Sequence, residues 1–135
     1  MSHSQNSMIE TFMAEFARKT GEFPHIVSVS DISGGFQLEL GITEDLDGFH
    51  GHFPGNPVLP GVVQVHWAAT FARQLFCLAG TPNEIKQLKF KNIVQPPATL
   101  TLKLMYQPDS RVQFEFSSDE LGHSSGQLIF GQGPS

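Results

Sequence analysis

Between residues 61 and 79 the chain places apolar side chains on nearly every face of a helix: Val62, Val63, Val65, Trp67, Ala68, Ala69, Phe71, Ala72, Leu75 and Phe76. Such a helix has to be enclosed on most sides, because each Å² of apolar surface left in water forgoes roughly 25 cal/mol. Gln64, His66, Thr70, Arg73 and Gln74 interrupt the run, so it does not read as a membrane span. The rest of the chain is suited to enclosing it. Residues 26–30, 36–42, 85–94, 99–106, 111–116 and 125–130 alternate in the two-residue period of half-buried strands. Short turn signals separate them: Ser33-Gly34-Gly35, Gln95-Pro96-Pro97, Gln107-Pro108-Asp109-Ser110 and Asp119-Glu120-Leu121-Gly122.

The economical solution is an α+β chain: one long central helix wrapped by a curled antiparallel sheet of five to six strands, the hotdog fold. At 135 residues it reads as one domain, 1–135, with a core that needs no metal or disulfide. A short amphipathic helix precedes it within residues 1–22. There Ser7-Met8-Ile9-Glu10 reads as a capping box, and Met8, Ile9, Phe12, Met13 and Phe16 recur at helical spacing up to Gly21. This helix is expected to lie on the domain, peripheral to it. The lone Cys77, among Leu75, Phe76 and Leu78, is expected to be buried, and a single cysteine fits a reducing, cytoplasmic setting. The N-terminus lacks the basic-then-apolar layout of an export signal.

The formal charge of −5 argues against a general nucleic-acid binder. Arg73, Lys86, Lys89, Lys91, Lys103 and Arg111 nevertheless fall in a sector holding only Glu84 and Asp109 as acids, a local 6 − 2 = +4. This is a solvated face or a docking patch for an acidic partner. His50-x-His52 with His66 and Cys77 does not complete a zinc spacing, no glycine spacing matches a nucleotide fingerprint, and Ser124 and Ser125 show no paired base. No metal or nucleotide cofactor is expected. His3, His25 and His123 are expected to be solvated.

The chemistry concentrates at residues 49–67, FHGHFPGNPVLPGVVQVHW. Gly51, Gly55 and Gly61 allow close backbone approach, and Pro54, Pro57 and Pro60 fix the chain beside His52. Pro60-Gly61 opens the helix, whose first N–H groups lack intrahelical partners and can hold a developing oxyanion. A structural histidine in a tight turn would explain His52 taken alone.

Gly51-His52-Phe53-Pro54-Gly55-x-Pro57-x-x-Pro60-Gly61-Val62 resembles the signature of the (3R)-hydroxyacyl-[acyl-carrier-protein] dehydratases, the FabZ and FabA families. Leu88-Lys89-Phe90-Lys91-Asn92-Ile93-Val94-Gln95-Pro96-Pro97 resembles their second motif. Leu59-Pro60-Gly61-Val62-Val63-Gln64-Val65-x-Trp67 is similar to the narrower ApeI-like dehydratases of aryl polyene lipid synthesis. The resemblance implies a double hotdog dimer with active sites at the subunit interface. It makes His52 the catalytic histidine and Gly61 the residue whose N–H polarises the thioester carbonyl. It assigns substrate contacts to Phe53, Pro60, Val62 and Thr70. The family's second catalytic residue, a Glu or Asp from the neighbouring subunit, falls at His66, fourteen positions after His52, and a frequent glutamine falls at Thr70.

In that reading His52 takes the C2 proton of a 3-hydroxyacyl thioester, the Gly61 amide holds the enolate-like oxygen, and His66 protonates the leaving hydroxide. Imidazolium suits this acid role without the strong tuning that a carboxylic acid needs. Two imidazoles in opposite protonation states imply a bell-shaped pH profile. The partner is an acidic acyl carrier protein whose phosphopantetheine arm carries the substrate, with Phe71 and Leu75 lining the acyl channel. The alternatives are a non-catalytic acyl-binding subunit, alone or in a heterodimer with a related dehydratase, and a hotdog thioesterase or hydratase.

Overall fold

Six strands and two α-helices make up the fold in the computed structural model, which describes residues 3–19, 21–49 and 57–131. Helix α1 (His3–Ala17) leads into a hairpin of β1 (His25–Ile32) and β2 (Gly35–Ile42). A 3-10 turn (Asp47–Phe49), helix α2 (Gly61–Leu75), and strands β3 (Pro82–Phe90), β4 (Ala98–Gln107), β5 (Arg111–Ser118) and β6 (Leu121–Phe130) follow. The strands form one antiparallel sheet in the order β1-β2-β4-β5-β6-β3. Helix α2 therefore carries the chain across the sheet from β2 to the far edge, where β3 pairs with β6, and it packs on β4, β5 and β6.

Alternation fixes which face of the sheet meets the helix. Phe36, Leu38, Leu40 and Ile42 of β2, Leu100, Leu102 and Leu104 of β4, and Val112, Phe114 and Phe116 of β5 are all buried. The register aligns them in rows: Leu38, Leu102, Phe116 and Ser124 in one, Phe36, Leu104, Phe114 and Gly126 in the next. Gly126 makes room for the Phe114 ring, since a Cβ there would sit 2.9 Å from Phe114 Cε2. Trp67, Ala68, Phe71 and Ala72 of α2 close this core with no exposure.

Several expectations are corrected. Helix α2 is covered by the sheet and by α1 but not all round: Val62 is 74% exposed and His66 also faces solvent, so among the described residues part of the apolar helix stays uncovered. It ends at Leu75, where the Leu78 N–H bonds to Arg73 O at 2.9 Å with Cys77 left-handed (φ 56) between them. Cys77 thus takes the place glycine usually fills in such a cap and is exposed, not buried. Helix α1 begins four residues before the supposed cap, with Ser7 inside it accepting the Thr11 hydroxyl at 3.0 Å. Its Ile9, Phe12 and Phe16 are buried core residues, so it is built into the domain. Finally, β3 stops at Phe90 and breaks register between Lys86 and Lys89, where Gln87 is left-handed (φ 55).

Candidate active site

Helix α2 starts without a side-chain cap. Pro60 is the N-cap in an extended conformation (φ −62°, ψ 146°), and its carbonyl accepts the N–H groups of Val63 (3.1 Å) and Gln64 (3.2 Å). The geometry of a helix start leaves the Gly61 and Val62 amides without acceptors in the helix, at its positive end. A cavity of about 410 Å³ opens at this point. One wall is Val58, Leu59, Pro60, Gly61 and Val62 with Gln64 behind them; the opposite wall is residues 90–93, and His123 borders it from β6. Gly61 leaves room for the Phe90 ring, which a side chain there would displace, since a Cβ would lie 2.4 Å from Phe90 Cε1. Its lack of a side chain lets an aromatic ring stand directly against the helix start.

Three consecutive residues of β6 hold both walls. Ser124 Oγ donates to Gln64 Oε1 at 2.7 Å, and Gln64 Nε2 donates to Leu59 O at 3.3 Å. Leu59 N–H in turn donates to Val94 O at 2.9 Å. His123 O accepts the Lys91 N–H at 2.9 Å, and Gly122 O accepts Asn92 Nδ2 at 2.7 Å. The His123 ring, 4% exposed, lies between Asn92 O (3.0 Å from Nδ1) and Ser118 Oγ (2.7 Å from Nε2). A carbonyl can only accept, so Nδ1 carries the proton, and in the neutral ring Nε2 accepts from the Ser118 hydroxyl. His123 was expected to be solvated; it is buried because Leu121–Phe130 is a strand that begins at the turn.

Of the residues singled out in the sequence, Pro60, Gly61 and Val62 meet at the cavity. His52 and Phe53, and the His50-x-His52 pair, lie outside the described residues. His66 does not join Gly61 in the same chain: five residues of helix turn it roughly 140° away. It faces the connector between α1 and β1, with its ring stacked on Phe23 (5.5 Å, 30°) and Nε2 3.4 Å from Glu22 Oε2. Both partners of that contact are more than half exposed, so it adds little stability. Trp67 Nε1 donates to Glu22 O at 2.9 Å and fixes the connector on the helix. Thr70 is half-buried one turn beyond His66 and away from the cavity.

Phe71, expected in an acyl channel, is instead fully buried in a cluster with Phe12, Phe16 and Phe23. Leu75 borders a separate cavity of about 410 Å³ with Phe36, Phe76 and Tyr106. Of the basic sector, Lys86 and Lys89 on β3 and Lys91 just beyond it are exposed, whereas Lys103 faces Glu115 across the β4–β5 ladder. Among the described residues no three His, Cys, Asp or Glu side chains could hold a metal ion, and no helix is long and apolar enough to cross a membrane.

The family model described as ApeI-like, ApeI dehydratase, matches residues 28–127. The 3-hydroxyacyl-[acyl-carrier-protein] dehydratase FabZ of Erythrobacter litoralis is 38% identical over 96 residues, 64% of this chain and 64% of its own. That of Rickettsia massiliae is 36% identical over 78 residues, 52% of this chain and 54% of its own. The chain therefore spans between half and two-thirds of the length of these relatives. Among solved structures, the dehydratase heterocomplex ApeI:P from Xenorhabdus doucetiae aligns with TM-score 0.74 and 28% identity over 81% of this chain and 98% of that one. An uncharacterized protein from Erwinia carotovora subsp. atroseptica aligns with TM-score 0.70 and 29% identity over 81% and 96%. With a family match over most of its length and these structures sharing its sheet and helix, the chain belongs to the ApeI-like dehydratase family and has the hotdog fold.

Proposed function

We propose that the chain dehydrates a 3-hydroxyacyl thioester carried on an acyl carrier protein to the trans-2-enoyl thioester, in fatty-acid or aryl-polyene-type lipid synthesis. The observation that carries this reading is the uncapped start of α2 at Gly61, opening into a cavity whose two walls are pinned to β6. Preorganised amides of this kind lower the energy of an enolate-like oxygen without reorganising during reaction. His52 removes the C2 proton, the electron pair forms the C2–C3 double bond, and the C3–O bond breaks. The departing hydroxide takes a proton from His66 and leaves as water.

The roughly half-turn between Gly61 and His66 supports a site shared by two protomers, in which each chain lends His66 to its neighbour. A face for that neighbour exists on the unpaired edge: Ile85, Leu88, Phe90 and Ile93 are 40–62% exposed, and Val62 on α2 is 74% exposed. The lysines of β3 suit an acidic carrier protein. A second reading, an acyl-binding subunit that works beside an active homologue, draws on the imidazole at position 66 in place of the family's carboxylate.

Purified protein incubated with a 3-hydroxyacyl carrier-protein thioester is expected to form enoyl product, seen as loss of 18 Da (the mass of water, about one H2O per turnover). Turnover is expected to fall by at least about a hundredfold in both His52→Ala and His66→Ala. Full activity in His66→Ala with loss in His52→Ala removes the acid role of His66; binding of the thioester without turnover in the wild-type chain favours the second reading.

A further inference from the structure

The buried His123 ring has no place in the elimination described above, yet it borders the cavity and both its nitrogens are engaged. We infer that His123 is a positioning residue for the dehydratase site, acting through its Nδ1–H···O=C bond to Asn92. The inference rests on the dehydratase reading and deepens it.

The segment from Lys91 to Val94 has left the sheet: β3 ends at Phe90 and β4 does not begin until Ala98. Strand pairing therefore cannot hold this wall of the cavity. Bonds from β6 replace it, and among them only His123 reaches past its own ladder position to a backbone carbonyl of the wall. From Asn92 the constraint passes two residues on to Val94, whose carbonyl accepts the Leu59 N–H, and Leu59 lies two residues before Gly61. It also passes two residues back to Phe90, whose ring stands against Gly61. One imidazole thus fixes the segment that touches the oxyanion amide from both sides.

A serine hydroxyl donating to an imidazole also resembles a nucleophile and its base. Two facts argue otherwise. Ser118 does not line the cavity although His123 does, and the second ring nitrogen is held by a backbone carbonyl, not by a carboxylate. Ser118 instead fixes the ring's orientation, so that Nδ1–H is the atom presented to Asn92.

Two isosteres separate the two ring bonds. An asparagine side chain places its amide near Nδ1 and can still donate to Asn92 O; a glutamine reaches the Nε2 position and can still accept from Ser118. His123→Asn is expected to recover most of the turnover that His123→Ala and His123→Gln lose, the latter two falling by about tenfold or more in kcat with KM little changed. Thermal unfolding serves as the control, because each isostere sacrifices one buried bond and both are expected to lower Tm to a similar extent. Equal activity in His123→Asn and His123→Gln overturns the inference.

A second readout does not depend on turnover. Amide hydrogen exchange at Leu59, whose N–H reports the Val94 contact, is expected to accelerate in His123→Gln and to stay close to wild type in His123→Asn. If exchange splits in this way while the wild-type chain shows no dehydration, the dehydratase reading falls and the anchor stands as a structural one. If exchange is the same in both variants, the anchor itself is wrong.

Discussion

The Ser124 hydroxyl donates a hydrogen bond to the amide oxygen of a glutamine sixty residues away, and both residues are only 3% exposed. In such surroundings the pair matters less for what it contributes than for what each partner costs when left alone. Ser124→Ala strands Gln64 Oε1 without a donor and is expected to lower stability by about 1–3 kcal/mol. Gln64→Leu strands the Ser124 hydroxyl and Leu59 O together and is expected to cost at least as much. In urea unfolding the double variant should then lose less than the sum of the two singles, by about 1 kcal/mol; strict additivity would show that the contact carries no coupling. The same residues show what can be read from a single chain at this scale. The helix start at Gly61 was legible because Pro60 and the following apolar turn are its neighbours in sequence. His123 was not, since its contacts at Asn92 and Ser118 exist only once β6 is paired with β3 on one side and, through the two-residue turn Asp119-Glu120, with β5 on the other. His66 lies between these cases: its position was legible, but its contact with Glu22 and Phe23 depends on how the α1–β1 connector crosses the helix.

Strands β1, β2, β4 and β5 were legible within a residue or two, because where one face is buried the two-residue period is written into the apolar pattern. Strand β6 begins four residues earlier than expected, at Leu121, since the buried residues near its start, His123 and Ser124, are polar. Strand β3 departs from this rule: among the described residues its side chains are almost all exposed, so burial does not enforce its pattern and a left-handed Gln87 shifts its register. Helix α1 went the other way. Its apolar stripe was recognised, but spacing along a helix does not reveal how deeply the stripe is inserted. Phe16 meets Phe12 at 4.9 Å, Phe23 at 4.9 Å and Phe71 at 5.0 Å, mostly edge to face, and it is 3% exposed. This cluster joins α1, the connector and α2, so the helix is held by core contacts. Phe16→Ala is expected to cost about 3–5 kcal/mol by transfer and cavity terms. Lys19, whose ammonium lies 5.1 Å from the Phe16 centroid at the surface, makes the contrasting case: Lys19→Ala should cost under about 1 kcal/mol. Urea midpoints for the two variants decide whether α1 belongs to the cooperative unit. A Phe16→Ala loss as small as that of Lys19→Ala would return the helix to the periphery.

At the scale of the whole molecule, what the single chain leaves unfinished lies mostly on one side. Among the described residues no strand pairs with the outer edge of β3, and Ile85, Leu88, Phe90 and Ile93 are exposed along it, with Val62 on α2 exposed as well. Exposed edges and apolar patches of this kind are hazards unless a partner covers them. The resemblance to dimeric dehydratases made a second protomer an expectation; the structure supplies a face on which it could sit. Charge complicates the identity of that protomer, since Lys86, Lys89 and Lys91 belong to the same edge segment, and two identical copies meeting there bring two such sets to one seam. Repulsion between exposed charges is screened over about 8–10 Å at ordinary ionic strength, so self-association should tighten as salt rises, the reverse of an ion-paired interface. Sedimentation equilibrium over a salt series is expected to show a monomer–dimer system shifting toward dimer. Ile85→Lys combined with Leu88→Lys should hold the chain as a monomer with its circular dichroism spectrum retained. A wild-type chain monomeric at every salt concentration would mean that like copies do not complete the site, and that the edge is built for a protomer whose facing strand carries acids.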